Sequence, residues 1–171
     1  MEKQIVRISI AGSVDDGKST LLGRLLFDSK NLNHDDIEKI KEKSNLNGEI
    51  DYSLFTDGLK DEQEQGITID VAYRYFSTKK RKYIVSDTPG HIQYTRNMIT
   101  GGSLSNVSII LIDVKKGITE QTKRHLFLSS LLNINHIFIC INKMDLIAYS
   151  KQKFDVIKDK IESFCSKLTF K

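Results

Sequence analysis

The sequence has few of the residues that build disulfide frameworks, and it has no apolar run long enough to cross a membrane. Its two cysteines, Cys140 and Cys165, stand far apart without a CxxC spacing, which favours incidental buried thiols over a disulfide or a metal site. The N-terminal apolar run is too short for the core of a signal peptide. We therefore expect a cytoplasmic protein with no membrane partner.

The chain also lacks a large excess of either positive or negative charge. The chain has 26 Lys and Arg residues against 22 Asp and Glu, which gives a formal net charge of +4 spread along the sequence. Nucleic-acid-binding domains carry a concentrated basic patch or stripe, so this distribution predicts no nucleic-acid partner. The length of 171 residues is that of a single domain with a sizeable core.

Apolar runs alternate with helical patterns along the chain. Near-continuous Ile, Val and Leu runs are typical of a mostly parallel sheet with helices on both faces, and ligands in such sheets bind beyond the carboxyl ends of the strands. The fold class predicted is therefore α/β. The predicted strands are Ile5–Ile10, Ile69–Phe76, Lys82–Ser86, Ser108–Asp113 and Ile137–Ile141, and the predicted helices are one ending near Asp28, Glu120–Leu132 and Gln152–Leu168.

Two polar stretches need separate interpretation. The segment Asn31–Gly66 is long and charged, and its pattern predicts at most one or two helical turns around Asp35–Lys43. Connections of this length are uncommon in compact domains unless they are functional or disordered, so we predict a mobile switch segment, with a disordered insertion as the alternative. The second stretch is a run of polar side chains on one helix, for which we predict exposed surface and, as the alternative, a partner contact: Gln121, Thr122, Arg124 and His125.

A phosphate-binding loop is predicted after the first strand. The spacing G-x-x-x-x-G-K-S runs from Gly12 to Ser19, and Gly12 and Gly17 can adopt the positive φ that such a tight turn needs. Backbone N–H groups of the loop then form an anion nest at a helix N-terminus. Lys18 would contact the β- and γ-phosphates and Ser19 Oγ would bind Mg²⁺. An ordinary glycine turn is the alternative. The predicted nucleotide contacts are Gly12, Ser13, Val14, Asp15, Asp16, Gly17, Lys18, Ser19 and Thr20.

Two further motifs can act on the same phosphates. Thr68 could offer its hydroxyl to Mg²⁺ and its N–H to a γ-phosphate, although a lone threonine could simply open a strand. Asp87 follows a strand and could hold Mg²⁺ through water, while His91 could orient an attacking water molecule. A simple Asp-Thr-Pro-Gly turn is the alternative for this stretch. The predicted nucleotide contacts here are Asp87, Thr88, Pro89, Gly90 and His91.

The motif Asn142-Lys143-Met144-Asp145 follows the last predicted strand and can select a base. Guanine presents two adjacent donors, N1–H and the N2 amine, and the Asp145 carboxylate can accept both. Adenine would leave that carboxylate badly paired, which is costly for a buried charge. Asn142 would contact the base's other edge and tie to the phosphate loop, and the Lys143 stem would lie along the purine face. A helix-capping aspartate is the alternative.

These motifs occur in a joint order that coincidence does not explain, each at the end of a strand. They predict a Mg²⁺-dependent, GTP-binding and GTP-hydrolysing domain over residues 1–171, with switch segments at 31–68 and 87–102. The predicted catalytic residues are Lys18, Thr68 and His91, and the predicted metal ligands are Ser19, Thr68 and Asp87.

The motifs from Gly12 to Thr20 and from Asn142 to Asp145 also resemble a known family, as do Asp57-Gly-Leu-Lys60 and the runs from Glu64 to Phe76 and from Asp87 to Met98. Over nearly the whole chain they are similar to translation-factor-type GTPases. Among these they most closely resemble the GTPase (large) subunits of bacterial ATP sulfurylase, a sulfate adenylyltransferase. Elongation factors typically carry His-Val-Asp-His in the first loop, where Ser13 and Asp16 differ, and the run Tyr73–Phe76 also favours the sulfurylase subunits.

The resemblance implies a P-loop NTPase G domain that binds GTP/GDP and Mg²⁺. It implies a heterodimer with a small catalytic subunit of sulfate adenylyltransferase, in which GTP hydrolysis is coupled to formation of adenylyl sulfate and pyrophosphate from ATP and sulfate. By the same analogy His91 positions the water, and Val14 and Ile67 form an apolar gate. The family pattern continues into a Ser-Ala-Leu motif and β-barrels, so we expect a domain whose C-terminal strand and helix are missing. The alternatives are an elongation-factor-like GTPase and a truncated remnant with weak nucleotide binding.

Overall fold

The computed structural model of the chain describes residues 4–29, 50–56, 72–88, 95–134 and 136–168. The strands and three of the helices lie within three residues of their predicted bounds, except that 69–71 of the second predicted strand lie outside the described residues. A helix over Thr95–Gly102 was not predicted. The strands are β1 Gln4–Gly12, β2 Ala72–Ser77, β3 Arg81–Asp87, β4 Val107–Asp113 and β5 His136–Asn142. The helices are α1 Lys18–Asp28, α2 Thr95–Gly102, α3 Glu120–Leu131 and α4 Lys151–Cys165, with 3-10 turns at Tyr52–Phe55 and Met144–Ile147.

The five strands form one sheet in the order β2-β3-β1-β4-β5. The pairs β1–β3, β1–β4 and β4–β5 are parallel, and β2 is antiparallel to β3. The mostly parallel α/β sheet is thus confirmed. Because four strands run in the same direction, their carboxyl ends meet at one edge, which carries Gly12, Asp87, Asp113 and Asn142.

Helices pack on both faces of this sheet, as predicted. On one face, α1 buries Leu22 and Leu26 against the central strands, and on the other face α3 and α4 bury Leu126, Ile157 and Ile161. Alternation along each strand divides the core between the two faces. The strand residues buried towards α1 are Ile10, Val85 and Leu111, and those buried on the opposite face are Ala11, Ile110 and Ile112.

In the ranges that the structure describes, no helix combines the length and the apolar character needed to span a bilayer.

The two cysteines are Cys140 in β5 and Cys165 at the end of α4. Both are free thiols, and partial burial raises the pKa of each. Both cysteines pack against core side chains, which fits their expected role as incidental core residues.

The predicted exposed surface on α3 is wrong for three of its four residues. Gln121, Thr122 and His125 are buried, with Thr122 and His125 fully inaccessible, whereas Arg124 is half-buried and donates to Gln121 Oε1 at 3.0 Å. The inward face of α3 is polar because it packs beneath the phosphate loop as well as the sheet. Burial, followed by the positive charge of Lys18, lowers the pKa of His125 to about 4, while a hydrogen bond with the Gly12 backbone opposes that shift. His125 is therefore neutral at pH 7.

The turn Tyr52–Phe55 lies within the segment predicted to be a mobile switch, yet it packs on α1. The Phe27 ring meets Tyr52 edge-on with the ring centres 5.5 Å apart, and the Arg24 guanidinium lies 5.1 Å from the Tyr52 ring centre. A Cβ at Gly23 would overlap the carbonyl oxygen of Tyr52, so the turn approaches α1 where α1 has no side chain. The remainder of the predicted segment, including Asp35–Lys43, lies outside the described residues.

This close approach predicts that Gly23→Ala destabilises the protein. Alanine improves helix propensity by up to about 1 kcal/mol, but overpacking against a backbone carbonyl costs about 1–3 kcal/mol or more. We expect a net loss of about 1–2 kcal/mol, which lowers Tm by roughly 2–8 °C in a thermal unfolding experiment. Gly102→Ala is the matched control, since its Cβ would lie 3.1 Å from Leu132 Cδ1, the end of a side chain that can rotate. Equal Tm values for the two variants would show that Tyr52 does not constrain position 23.

Candidate functional site

The loop predicted to bind phosphate lies between β1 and α1. Gly17 has φ 94° and Gly12 also has a positive φ, while α1 begins directly afterwards at Lys18. At both glycines an added Cβ would also force a neighbouring group to shift. A Cβ at Gly12 would lie 2.9 Å from the Leu111 carbonyl oxygen, and a Cβ at Gly17 would overlap Asn142 Nδ2. The loop therefore runs directly into the N-terminus of α1, where the first N–H groups of a helix favour an anion.

Lys18 lies folded across this loop. Its ammonium group donates to the carbonyl oxygens of Gly12 at 3.0 Å and Ser13 at 2.8 Å, and the residue is only 7% exposed. Burial lowers the pKa of Lys18, and the nearby carboxylates of Asp87 and Asp16 oppose the shift. The loop thus contains a positive charge at its centre, where a bound anion would meet it.

Asp87 and Thr88 mark the end of β3 beside the loop. Asp87 is 3% exposed and its charge acts on Lys18. Thr88 is fully buried, and its hydroxyl donates to the Ile10 carbonyl oxygen at 2.5 Å, which fixes the chain as it leaves the sheet. Ser19, in the first turn of α1, and Asp87 both offer oxygen ligands at this edge, the donor type that Mg²⁺ prefers. The donor set therefore fits the predicted metal.

The motif predicted to bind a base begins where β5 ends. Asn142 Nδ2 donates to the Asp16 carbonyl oxygen at 2.8 Å, so the predicted tie between this residue and the phosphate loop is present. Lys143 adopts φ 59° and leads into the turn Met144–Ile147, where Asp145 is exposed and Met144 packs against the α4 core cluster. The Asp145 carboxylate is accessible to a ligand on the same edge of the sheet as the loop.

The Lys143 ammonium group forms an ion pair with Asp113 Oδ2 at 3.0 Å, at the end of β4. The predicted contact of the Lys143 stem with a purine face stays a prediction. Burial disfavours ionisation of Asp113, but hydrogen bonds from Lys143 and from the Lys115 N–H outweigh it and lower the pKa of Asp113. The Val114 N–H also donates to the Asn142 carbonyl oxygen at 3.1 Å. The end of β4 is therefore bonded directly to the base motif.

Sequence reasoning missed the loop between β4 and α3, which contacts the phosphate loop. Lys116 Nζ donates to the Val14 carbonyl oxygen at 2.7 Å, and Thr119 Oγ1 lies 3.0 Å from Ser13 Oγ. No motif marks these residues. One signal was available: this loop follows a parallel strand, so it must lie at the same edge as the other strand-end motifs.

The structure thus brings most of the predicted site to one edge of the sheet. Four predicted residues, and the proposed gate residue Ile67, lie outside the described residues. The predicted residues found at this edge are Gly12, Ser13, Val14, Asp15, Asp16, Gly17, Lys18, Ser19, Thr20, Asp87, Thr88, Asn142, Lys143, Met144 and Asp145. Those outside the described residues are Thr68, Pro89, Gly90 and His91.

Comparison with known proteins gives one family and a set of related chains. The family model described as "Elongation factor Tu GTP binding domain" matches residues 3–171. The GTP-bound Ski7 GTPase-like domain of S. cerevisiae has a TM-score of 0.78 at 25% identity, covering 99% of this chain and 42% of that one. The bacterial selenocysteine-specific elongation factor EF-Sec has a TM-score of 0.69 at 23% identity, covering 98% of this chain and 25% of that one. The latter likeness concerns the fold alone.

Curated relatives are closer in sequence. Sulfate adenylyltransferase subunit 1 of Bacteroides thetaiotaomicron is 56% identical over 171 residues, covering 98% of this chain and 35% of that protein. The bifunctional enzyme CysN/CysC of Mycobacterium tuberculosis is 54% identical over 166 residues, covering 96% of this chain and 27% of that protein. The chain thus spans about a third or less of the length of these relatives.

Proposed function

This chain belongs to the elongation factor Tu GTP-binding domain family, and from that premise we propose that it binds GTP and GDP together with Mg²⁺ and hydrolyses GTP. The observation that carries the proposal is the hydrogen bond between Asn142 Nδ2 and the Asp16 carbonyl oxygen. It joins the anion-binding loop to the motif that can select guanine, so that one ligand with a phosphate chain and a base can engage both.

Catalysis in this proposal is mainly positioning and charge neutralisation. The loop N–H groups and the Lys18 ammonium hold the β- and γ-phosphates and stabilise the negative charge that shifts between them during transfer. Ser19, Thr68 and Asp87 would hold Mg²⁺, which supplies further positive charge against those phosphates. The burial of Lys18 and Asp87 supports this assignment, because charges act more strongly where water is excluded.

We assign the positioning of the water that attacks the γ-phosphate to His91, and Pro89 and Gly90 belong to the same predicted motif. Gly90 has no side chain, so its N–H can approach a γ-phosphate closely. Val14 and Ile67 form an apolar gate that limits water access until a partner binds. Thr88 supports the geometry, because its hydroxyl fixes the start of this turn to Ile10 of β1.

The biological reaction proposed is that of a sulfate adenylyltransferase. GTP hydrolysis would be coupled to the conversion of ATP and sulfate to adenylyl sulfate and pyrophosphate. A separate small subunit would carry out the adenylyl transfer as the heterodimer partner. Coupling makes physical sense because the phosphosulfate anhydride is very unfavourable to form. The identity of 56% to a protein named sulfate adenylyltransferase subunit 1 supports this over a translation factor.

Calorimetry tests the nucleotide part of the proposal. Purified chain is titrated with GTP, GDP and ATP, each with Mg²⁺ and again with excess EDTA. Magnesium-dependent heat with guanosine nucleotides and none with ATP is expected. Binding of ATP without binding of GTP would overturn the proposal. GTP hydrolysis is then measured with each candidate partner. Acceleration by a sulfurylase small subunit would support the sulfate adenylyltransferase role, and acceleration by the ribosome would support a translation-factor role.

We expect His91→Ala to spare GTP binding and to slow hydrolysis. General acid–base or water-orienting side chains typically contribute about 10²–10⁴-fold to a rate, and the loss should fall on kcat because His91 is assigned to the water. Single-turnover hydrolysis and equilibrium GTP binding measure the two effects separately. His136→Ala is the matched control, because His136 begins β5 and has no assigned site role. Hydrolysis by the His91 variant at the unmodified rate would contradict the assignment.

A further inference from the structure

The phosphate loop contains a buried carboxylate, that of Asp16. Asp16 is 2% exposed, and its Oδ2 accepts a hydrogen bond from the Ser13 N–H at 2.8 Å. A carboxylate at this position closes the loop and also places a negative charge beside the proposed triphosphate. A buried charge of this kind needs a compensating partner.

That partner comes from the loop between β4 and α3. Lys116 Nζ lies 3.7 Å from Asp16 Oδ1, and the same ammonium group donates to the Val14 carbonyl oxygen at 2.7 Å. The loop is held against the site at a second point, where Thr119 Oγ1 meets Ser13 Oγ at 3.0 Å. Lys116 thus contacts both the charge and the backbone of the phosphate loop.

The electrostatics of Asp16 agree with this geometry. Burial raises its pKa, while the hydrogen bond from the Ser13 N–H and the charges of Lys116 and Lys18 oppose the rise, and the carboxylate of Asp113 adds to it. Lys18 is the cation assigned to the phosphates, so a bound triphosphate competes for its charge. Lys116 would then be the main cation left to neutralise Asp16.

We propose that Lys116 is a positioning residue for nucleotide binding, which neutralises Asp16 and holds the Val14 carbonyl so that the phosphate loop accepts a triphosphate. The inference rests on the proposed function, and it concerns a residue outside the motifs that define the site. It also accounts for the two departures from the elongation-factor loop, since Ser13 and Asp16 are the loop residues that meet Thr119 and Lys116.

A double-mutant cycle tests the proposal on the full chain. GTP affinity is measured by calorimetry for the unmodified protein, Lys116→Met, Asp16→Asn and the double variant. We expect Lys116→Met to weaken GTP binding about tenfold, and the same change to cost less than about threefold when Asp16 is already Asn, because the charge that needs compensation is gone. Lys116→Arg keeps the charge and should restore most of the affinity lost in Lys116→Met.

Two readouts separate positioning from a structural effect. Lys115→Met removes the same charge from the neighbouring exposed residue of the same loop and should bind GTP as the unmodified protein does. Thermal unfolding of Lys116→Met should stay within a few degrees of the unmodified protein, so that the loss of affinity is not a loss of fold. An equal cost of Lys116→Met in both backgrounds, or an effect no larger than that of Lys115→Met, would overturn the proposal.

Failure of the proposal for Lys116 can also be distinguished from failure of the proposed function. If the unmodified chain bound no guanosine nucleotide, the proposed function would fail and the role of Lys116 would fall with it. If the unmodified chain bound GTP and Lys116→Met bound it equally well, only the role of Lys116 would be refuted.

Discussion

Lys18→Ala is expected to abolish measurable GTP binding. The variant removes the buried ammonium group that lies across the phosphate loop. This group donates to the carbonyl oxygens of Gly12 and Ser13, and it interacts electrostatically with the Asp87 carboxylate. Each hydrogen bond to a charged group contributes about 1.5–3 kcal/mol, and Lys18 would make two or more of them with the β- and γ-phosphates. The expected loss of about 3–6 kcal/mol is a weakening of two to four orders of magnitude.

Calorimetry with GTP and Mg²⁺ measures this loss, and circular dichroism checks that the variant is folded. Lys158→Ala is the matched control, because it removes the same charge from the exposed surface of α4, where Lys158 pairs with Glu162. GTP affinity within about threefold of the unmodified protein in Lys18→Ala would show that the loop does not hold the phosphates in the proposed way. Phosphate binding by this loop, which is one part of the proposed function, would then be refuted.

The sheet and three of its four described helices could be predicted because each depends on local sequence. Strands of a parallel sheet are buried on both sides, so they appear as short continuous apolar runs such as Ser108–Asp113, which became β4. The helix α1 follows from the phosphate-loop motif and ends at Asp28 as predicted. The meeting of the motifs at one edge follows from the parallel strands alone.

Three features could not be predicted because they depend on contacts between distant parts of the chain. The turn Tyr52–Phe55 sits in a polar stretch, and its position depends on the space above Gly23 in α1. The helix α2 contains adjacent glycines, which are poor helix formers, and it is joined to the sheet by a hydrogen bond from Ser86 Oγ to the Gly101 carbonyl oxygen at 3.0 Å. His125 is buried because the phosphate loop lies over its helix.

The candidate site likewise has contacts that could be predicted from the sequence and contacts that could not. Gly17, Lys18 and Asn142 belong to motifs with fixed spacing, so their neighbourhood was predictable, and the structure places all three together. The contacts of Lys116 and Lys143 depend on how far a long flexible side chain reaches across folded loops, and no spacing rule encodes that. Lys143 is an example, since its motif predicted a contact of the stem with a purine but did not predict the ion pair between the ammonium group and Asp113.

The second large effect is expected for Asp145→Asn, which should move nucleotide preference from guanine to xanthine. A carboxylate accepts from both donors of guanine, N1–H and the N2 amine. An asparagine amide offers one acceptor and one donor, so its NH₂ group would face the N2 amine of guanine. Xanthine carries an oxygen in place of that amine and complements the amide. The Asp145 side chain is exposed at the start of the turn Met144–Ile147, where a ligand can reach it.

Affinities for GTP, XTP and ATP are measured for the unmodified chain and for Asp145→Asn. A lost charge-assisted pair and an unpaired donor together cost about 3 kcal/mol, which is roughly a 100-fold weakening for GTP, and XTP should gain by a similar factor. Asp159→Asn makes the same chemical change on the exposed face of α4 and should leave all three affinities as they were. Continued strict guanine selectivity in Asp145→Asn would refute base recognition by this carboxylate. Because Lys18 lies in a different motif, the result for Lys18→Ala would not be affected by that outcome. The two variants therefore test phosphate binding and base recognition separately.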